Sequence, residues 1–146
     1  MAVKQTYTPS TALQQQYQQF WQVFNKISAS SEEFCREFTP HQYASIRSYQ
    51  DYAIGRKYHI STGVDFSNCV VKVTAYFRDL AAYLEVYQQD KARIEEEMVQ
   101  ALRWRAFKTK GSITLFASVA IYRNGNWEEA CKVMMENMIK MKNVVK

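Results

Sequence analysis

The chain has 146 residues, 47% of them hydrophobic and 23% charged, with a net charge of +5. This length suits one domain with a single core, and the composition argues against a disordered chain. No apolar run approaches the roughly 20 residues that span a bilayer, and residues 1–10 lack the apolar stretch of a secretory signal. Three cysteines without a Cys-x-x-Cys pair indicate free thiols in a reducing compartment. We therefore expect a cytoplasmic protein.

The positive charge is concentrated in two segments of the chain. Residues 47–78 carry five bases and two acids, and residues 102–126 carry five bases and no acid. Residues 79–101, between them, carry two bases and six acids. This alternation indicates two basic regions separated by an acidic one.

The first 46 residues predict two helices. Residues 1–8 are expected to be flexible and residues 9–146 to form one domain. The first helix opens at Pro9, Ser10 or Thr11, because apolar residues then recur at helical spacing from Leu13 to Ile27. Ser30 and Glu33 have capping-box spacing and predict a short second helix that ends before Pro40. Residues 39–56 are predicted to be a loop.

Two strand pairs and two further helices follow. Alternation of period two predicts a hairpin of 58–64 with 69–78, and a second of 102–107 with 112–121, in which Gly111 takes the left-handed turn position. Asp79 is expected to cap a long helix, whose buried stripe is Leu80, Leu84, Tyr87, Ile94, Met98 and Ala101. Asn126 is expected to cap the last helix. The order α-α-β-β-α-β-β-α predicts an α+β fold, an antiparallel four-stranded sheet with helices packed on it.

Several short motifs occur in a recognisable order: "FW" in the first helix, "IG" and then "YHIS" at the first strand, "KARIEEE" followed by "LRW", and "NWEE" at the last helix. Together they resemble a bacterial and archaeal family of unknown function over about residues 12–146. That family often forms the C-terminal part of proteins whose N-terminal part looks like a restriction-type nuclease. The resemblance implies a role in a bacterial defence or DNA-processing system, and it carries over no catalytic residue.

The common catalytic patterns are missing from the sequence. A restriction-type nuclease needs an acid two residues before its lysine, but Val70 precedes Lys72 at that position. His41 and His59 have no cysteine or carboxylate at metal-ligand spacing. Cys69 and Cys131 fall at core-facing positions, and four glycines form no phosphate-binding loop. We therefore expect no enzymatic activity, no metal and no cofactor.

One face of the predicted sheet combines bases with aromatic rings, as single-stranded nucleic acid requires. The same face also includes Phe116. The candidate contact residues are Arg56, Lys57, His59, Lys72, Tyr76, Arg78, Arg103, Arg105, Phe107 and Lys108.

Two functions stay open. The preferred interpretation is a non-catalytic interaction module, in which a helix layer covers the basic face and the arginines at its rim pair with Glu95–Glu97. Its partner would be another protein or a second copy, bound through Met134, Met138 and Met141 of the last helix. The alternative is a nucleic-acid-binding module that uses the basic and aromatic face of the sheet. Membrane association is not expected.

Overall fold

The computed structural model describes residues 8–120 and 127–146. The elements within them are α1 (Ala12–Ala29), α2 (Glu32–Glu37), β1 (Tyr49–Ala53), β2 (Tyr58–Asp65), β3 (Val70–Phe77), α3 (Leu80–Met98), β4 (Leu102–Ala106), β5 (Gly111–Ser118) and α4 (Glu128–Val144). The strands form one antiparallel sheet in the order β1-β2-β3-β5-β4. The predicted α+β class and antiparallel sheet are confirmed. The predicted four strands are wrong, because the sheet has five.

The additional strand, β1, lies within the segment predicted to be a loop. Its inward residues are Gln50 and Tyr52, both buried. Gln50 exchanges two side-chain hydrogen bonds with Asn25 of α1, and its Nε2 also donates to the Tyr52 hydroxyl at 3.1 Å. A buried amide satisfied in this way costs little to desolvate. Because Gln50 is polar yet points inward, the sequence of β1 lacks the apolar alternation by which a strand is usually recognised.

Both predicted hairpins are present. Strands β2 and β3 pair from Tyr58↔Phe77 to Asp65↔Val70, and β4 pairs with β5 from Leu102↔Leu115 to Ala106↔Gly111. Trp127 is buried and Trp104 half-buried on the inner side, whereas Arg103 and Arg105 are exposed. The alternation of β4 therefore places Trp104 on the inner side of the sheet and its two arginines on the outer side.

Side-chain caps fix where three helices begin. The Thr11 hydroxyl accepts from the backbone of Gln14, and the Asp79 carboxylate accepts from that of Ala81. The cap of α2 is Ser31, one residue later than predicted, and it accepts from the backbone of Phe34. Asn126, the predicted cap of α4, lies outside the described residues, as do Ile121 and residues 1–7.

Gly111 does not occupy a left-handed turn position, because no glycine in the described residues has a positive φ. It is the first residue of β5 and is buried beneath the ring of Tyr83 on α3. A Cβ at Gly111 would lie 2.1–2.6 Å from three Tyr83 atoms. Glycine is needed here because it lets the helix approach the strand closely.

This contact also sets the buried stripe of α3. The buried residues are Tyr83, Val86, Ile94 and Met98, so the predicted positions Ile94 and Met98 are correct. Leu84 and Tyr87 are 38% and 40% exposed, and Ala101 is exposed, contrary to prediction. The helix is rotated because Tyr83 packs against Phe77 as well as Gly111.

All four described helices pack on the same side of the sheet. One contact for each shows it: Asn25 of α1 with Gln50, Phe34 of α2 with Tyr52, Tyr83 of α3 with Phe77, and the Tyr58 hydroxyl with the carbonyl of Val145 after α4. Each sheet residue in these pairs is an inward one. The core therefore lies between the sheet and a single helix layer. No helix in the described part of the chain is long and apolar enough to cross a bilayer.

The methionines of α4 belong to this core. Met134, Met138 and Met141 have no exposed surface, so they cannot serve as the docking surface that the sequence suggested. Their spacing places them against the sheet and the neighbouring helices. Cys131 is buried beside them as predicted, whereas Cys69 is exposed, with a φ of 51° in the turn before β3.

Candidate nucleic-acid interface

The side of the sheet away from the helices carries the outward residues of all five strands, and we call it the open face. No helix in the described ranges packs on it, so the predicted helix cover is wrong. Glu95 and Glu97 do not reach its arginines, since they pair with Lys91 and Arg93 along α3. The open face consists of Tyr49, Asp51, Ala53, His59, Ser61, Gly63, Asp65, Val70, Lys72, Thr74, Tyr76, Arg103, Arg105, Ser112, Thr114, Phe116 and Ser118.

A shallow channel, which we call the trough, crosses the open face from strand to strand. The strand registers align its floor in the order Asp51, Ser61, Thr74, Thr114 and Arg103. The three central side chains are small and buried, and the hydroxyls of Thr74 and Thr114 lie 3.0 Å apart. Strands are about 4.8 Å apart, so the trough is about 19 Å long. It has a carboxylate at one end and a guanidinium at the other.

Larger side chains from the adjacent rows wall the trough. One wall is Tyr49, Lys72 and Phe116, and the other is His59, Tyr76 and Arg105. Gly63 lies between Tyr49 and Lys72 in the first wall. Because it has no side chain, it leaves room for the aliphatic part of Lys72; a Cβ at Gly63 would lie 3.0 Å from Lys72 Cε. The β1 half of the trough forms a groove of about 380 Å³, a volume in the range of small-ligand sites.

The aromatic rings of the walls are accessible. Tyr49, Tyr76 and Phe116 are 36–40% exposed. Tyr76 stacks on His59 with ring centroids 5.4 Å apart, and the Arg103 guanidinium lies 4.8 Å from the centre of the Phe116 ring. Stacking and cation–π contacts orient these side chains on the surface. They present flat apolar faces beside positive charge.

His59 lies in one wall of the trough, beside the Asp51 carboxylate. Its Nε2 is 3.8 Å from the Asp51 carboxylate. Burial, with a further contribution from the Arg78 and Lys110 charges, lowers the pKa of His59, although Asp51 acts in the opposite direction. The imidazole is therefore mainly neutral at pH 7, and it leaves the Asp51 charge largely uncompensated.

In the described part of the chain, the cations of the open face form no close ion pair with an acid. Among the described residues, none of Lys72, Arg103 and Arg105 forms an ion pair with a carboxylate. The second acid of the face, Asp65, accepts hydrogen bonds from Asn68, and these, with a smaller contribution from the Lys72 charge, hold the pKa of its carboxyl below the ordinary value. The positive charge of the face is consequently available to a ligand.

The structure brings together half of the predicted contact residues. His59, Lys72, Tyr76, Arg103 and Arg105 share the open face.

The other predicted residues lie at the ends of strands. Arg78 follows β3 and is near enough to His59 to affect the pKa of His59. Phe107 and Lys108 lie in the exposed β4–β5 turn, and the centre of the Phe107 ring is 5.3 Å from the Arg105 guanidinium. Arg56 and Lys57 lie in the β1–β2 turn, where Lys57 Nζ donates to the carbonyl of Lys146. These two bases do not belong to the open face.

Sequence reasoning missed the contribution of β1 and of one turn lysine. The sequence predicts a loop for Tyr49 and Asp51, and Lys110 is not among its candidate contact residues. The turn at Ile54–Lys57, directly before β2, is the available signal that another strand precedes it. Within the two described ranges, no three His, Cys, Asp or Glu side chains form a group that could hold a metal ion.

The fold and this surface define a class of domain: an α+β protein with helices on one side of a five-stranded sheet and a basic, aromatic open face on the other. A family model described as Domain of unknown function (DUF4268) matches residues 16–146, and the chain belongs to that family. Comparison with curated proteins and with solved structures gives no significant match.

Proposed function

We propose that this domain binds single-stranded nucleic acid on its open face and carries out no catalysis there. The observation that carries the proposal is the exposed sheet surface on which Lys72, Arg103 and Arg105 alternate with Tyr76 and Phe116. Positive charge attracts the phosphates, and exposed rings stack on unpaired bases.

Electrostatics favours an extended polyanion as the ligand. The three cations lie along both walls and at one end of the trough, and Arg78 and Lys110 add charge at its edge near His59. Cations that contact phosphates release counterions condensed on the nucleic acid, so binding is expected to weaken steeply with salt.

The aromatic side chains favour a single strand over a duplex. In a duplex the base faces are stacked on one another and are inaccessible to Tyr49, Tyr76 and Phe116, so only phosphate contacts would remain. In a single strand each stacked base contributes about 1–3 kcal/mol. The preference between the two forms therefore measures the contribution of the rings.

The test is fluorescence anisotropy with a labelled single-stranded 12-mer and its duplex, repeated over a range of salt. Arg103→Ala and Lys72→Ala should each reduce the slope of log affinity against log salt by about 0.7. Tyr76→Ala should weaken single-strand binding by about 1–3 kcal/mol without changing that slope.

Arg36→Ala is the matched control. Arg36 is an exposed arginine on α2, in the helix layer that covers the opposite side of the sheet, and its pairing with Glu32 is solvent-exposed. Its loss should leave binding unchanged. No binding at about 50 mM salt, or equal losses for Arg36→Ala and Arg103→Ala, would contradict the proposal.

A further inference from the structure

The two ends of the trough carry opposite charges. The floor ends in Asp51 on β1 and in Arg103 on β4. A carboxylate on a phosphate-binding surface weakens phosphate binding near it, so the sugar–phosphate backbone is expected to avoid the Asp51 end. The Asp51 side chain is 54% exposed and faces the groove together with Tyr49 and His59. A ligand that occupies this end must bring hydrogen-bond donors.

We infer that the Asp51 end of the trough is a base-reading subsite that selects guanine in a single strand. This inference rests on the proposed function. An ionised carboxylate only accepts hydrogen bonds, and its two oxygens can accept two of them side by side. The Watson–Crick edge of guanine presents two neighbouring donors, N1–H and the N2 amino group. Adenine and cytosine offer an amino group beside a ring acceptor, and thymine and uracil offer one N–H between two carbonyls.

The surroundings of Asp51 suit a single base. Ser61 gives the groove a small floor beside Asp51. Tyr49 and the stacked pair of His59 and Tyr76 lie on either side of it along the strands. The aromatic side chains can contact the faces of a base while its edge meets the carboxylate. The ring of His59 lies next to Asp51 and restricts where that side chain can move.

The remainder of the trough has no comparable acceptor for base donors. Thr74 and Thr114 already lie within hydrogen-bond distance of each other, and Arg103 lies over the Phe116 ring. Stacking and phosphate contacts at this end accept any base. We therefore expect one position of strong base preference within a strand that is otherwise bound without regard to sequence.

The test is competition of unlabelled decamers against a labelled thymidine decamer, measured by anisotropy. The competitors are thymidine decamers that carry a single central guanine, inosine, adenine or cytosine. The corresponding uridine-based RNA decamers are measured in parallel, and the comparison shows whether the ligand is DNA or RNA. The wild-type protein should bind the guanine decamer about ten-fold more tightly than the thymidine decamer, as expected for a bidentate pair. Inosine, which lacks the N2 amino group, should lose most of this advantage.

Asp51→Asn should abolish the guanine preference and strengthen binding of the thymidine decamer, because a negative charge is removed. Asp65→Asn is the matched control. It removes the other acid of the open face, at the end of β2 and outside the groove, and it should keep the preference.

The outcomes separate the two proposals. Binding of every decamer with equal affinity, or a guanine preference that persists in Asp51→Asn, overturns the guanine subsite and leaves the proposed function intact. A failure of every decamer to bind overturns both.

Discussion

The close packing of α3 on β5 can be tested at Gly111. In Gly111→Ala the new methyl group would overlap the Cβ, Cγ and Cδ1 atoms of Tyr83, at 2.1–2.6 Å. Relief requires Tyr83 to move, but this residue is 2% exposed and packs against the rings of Phe77 and Trp104. The substitution therefore forces a displacement within the core.

The magnitude follows from two opposing contributions. Overpacking of a filled core typically costs about 1–3 kcal/mol, and three overlapping atoms place this case near the upper end. Replacement of a glycine in a strand by alanine recovers roughly 0.5–1 kcal/mol. The net loss should be about 2–2.5 kcal/mol, which corresponds to a fall in Tm of about 4–10 °C for a chain of this size.

Thermal and urea unfolding followed by circular dichroism would measure the loss. Gly55→Ala is the control, because no heavy atom lies within 4 Å of a Cβ at Gly55; its stability should be unchanged or slightly raised. In a Tyr83→Leu background the cost of Gly111→Ala should fall below about 1 kcal/mol, since the two sites are coupled. Equal stability of Gly111→Ala and Gly55→Ala, or an undiminished cost in that background, would refute the reasoning.

Three further predictions concern titratable groups. Burial raises the pKa of Tyr58 to about 12. The contribution of Tyr58 to stability is therefore complete below about pH 10 and is lost as the pH rises towards about 12. Measured by urea unfolding, the stability of Tyr58→Phe should depend less on pH over this interval. The lowered pKa of His59 should rise when a polyanionic strand occupies the open face. Wild-type affinity for a thymidine decamer should therefore increase as the pH falls from about 7.5 to about 5.5, and His59→Gln should show a flat profile in the same anisotropy assay. Cys35 and Cys69 are exposed, whereas Cys131 is buried and burial raises its pKa to about 12. A thiol reagent should therefore modify Cys35 and Cys69 in the folded protein and Cys131 only after unfolding. Rapid modification of all three cysteines would contradict the fold.

Strand alternation predicted most of the sheet, and the exception has a physical explanation. Val71, Val73, Ala75 and Phe77 form an uninterrupted inward series, so β3 could be recognised from apolarity alone. In β1 the corresponding inward position is Gln50, which is buried because Asn25, 25 residues earlier, satisfies its amide. No local pattern reveals such a partner, so the sequence predicts a loop where the structure has β1.

The candidate site was predicted in part for a similar reason. Alternation identified His59, Lys72, Tyr76, Arg103 and Arg105 as one face, because strand geometry requires it. Whether helices cover that face depends on which side of the sheet each helix returns to, and this is decided by contacts such as Tyr83 on Gly111. The phase of α3 was ambiguous for the same reason, since neighbouring aromatic and aliphatic residues fit more than one stripe.

The placement of every described helix on one side of the sheet divides the sequence into two parts under different constraints. Side chains beneath the helices must satisfy the packing of the core, whereas those on the open face have few neighbours to satisfy. Substitutions there should change what the protein binds with little effect on how it folds. A library of variants selected for protease resistance should therefore show the exposed open-face positions as a contiguous, tolerant region, and the same library selected for binding should show them as the most restricted.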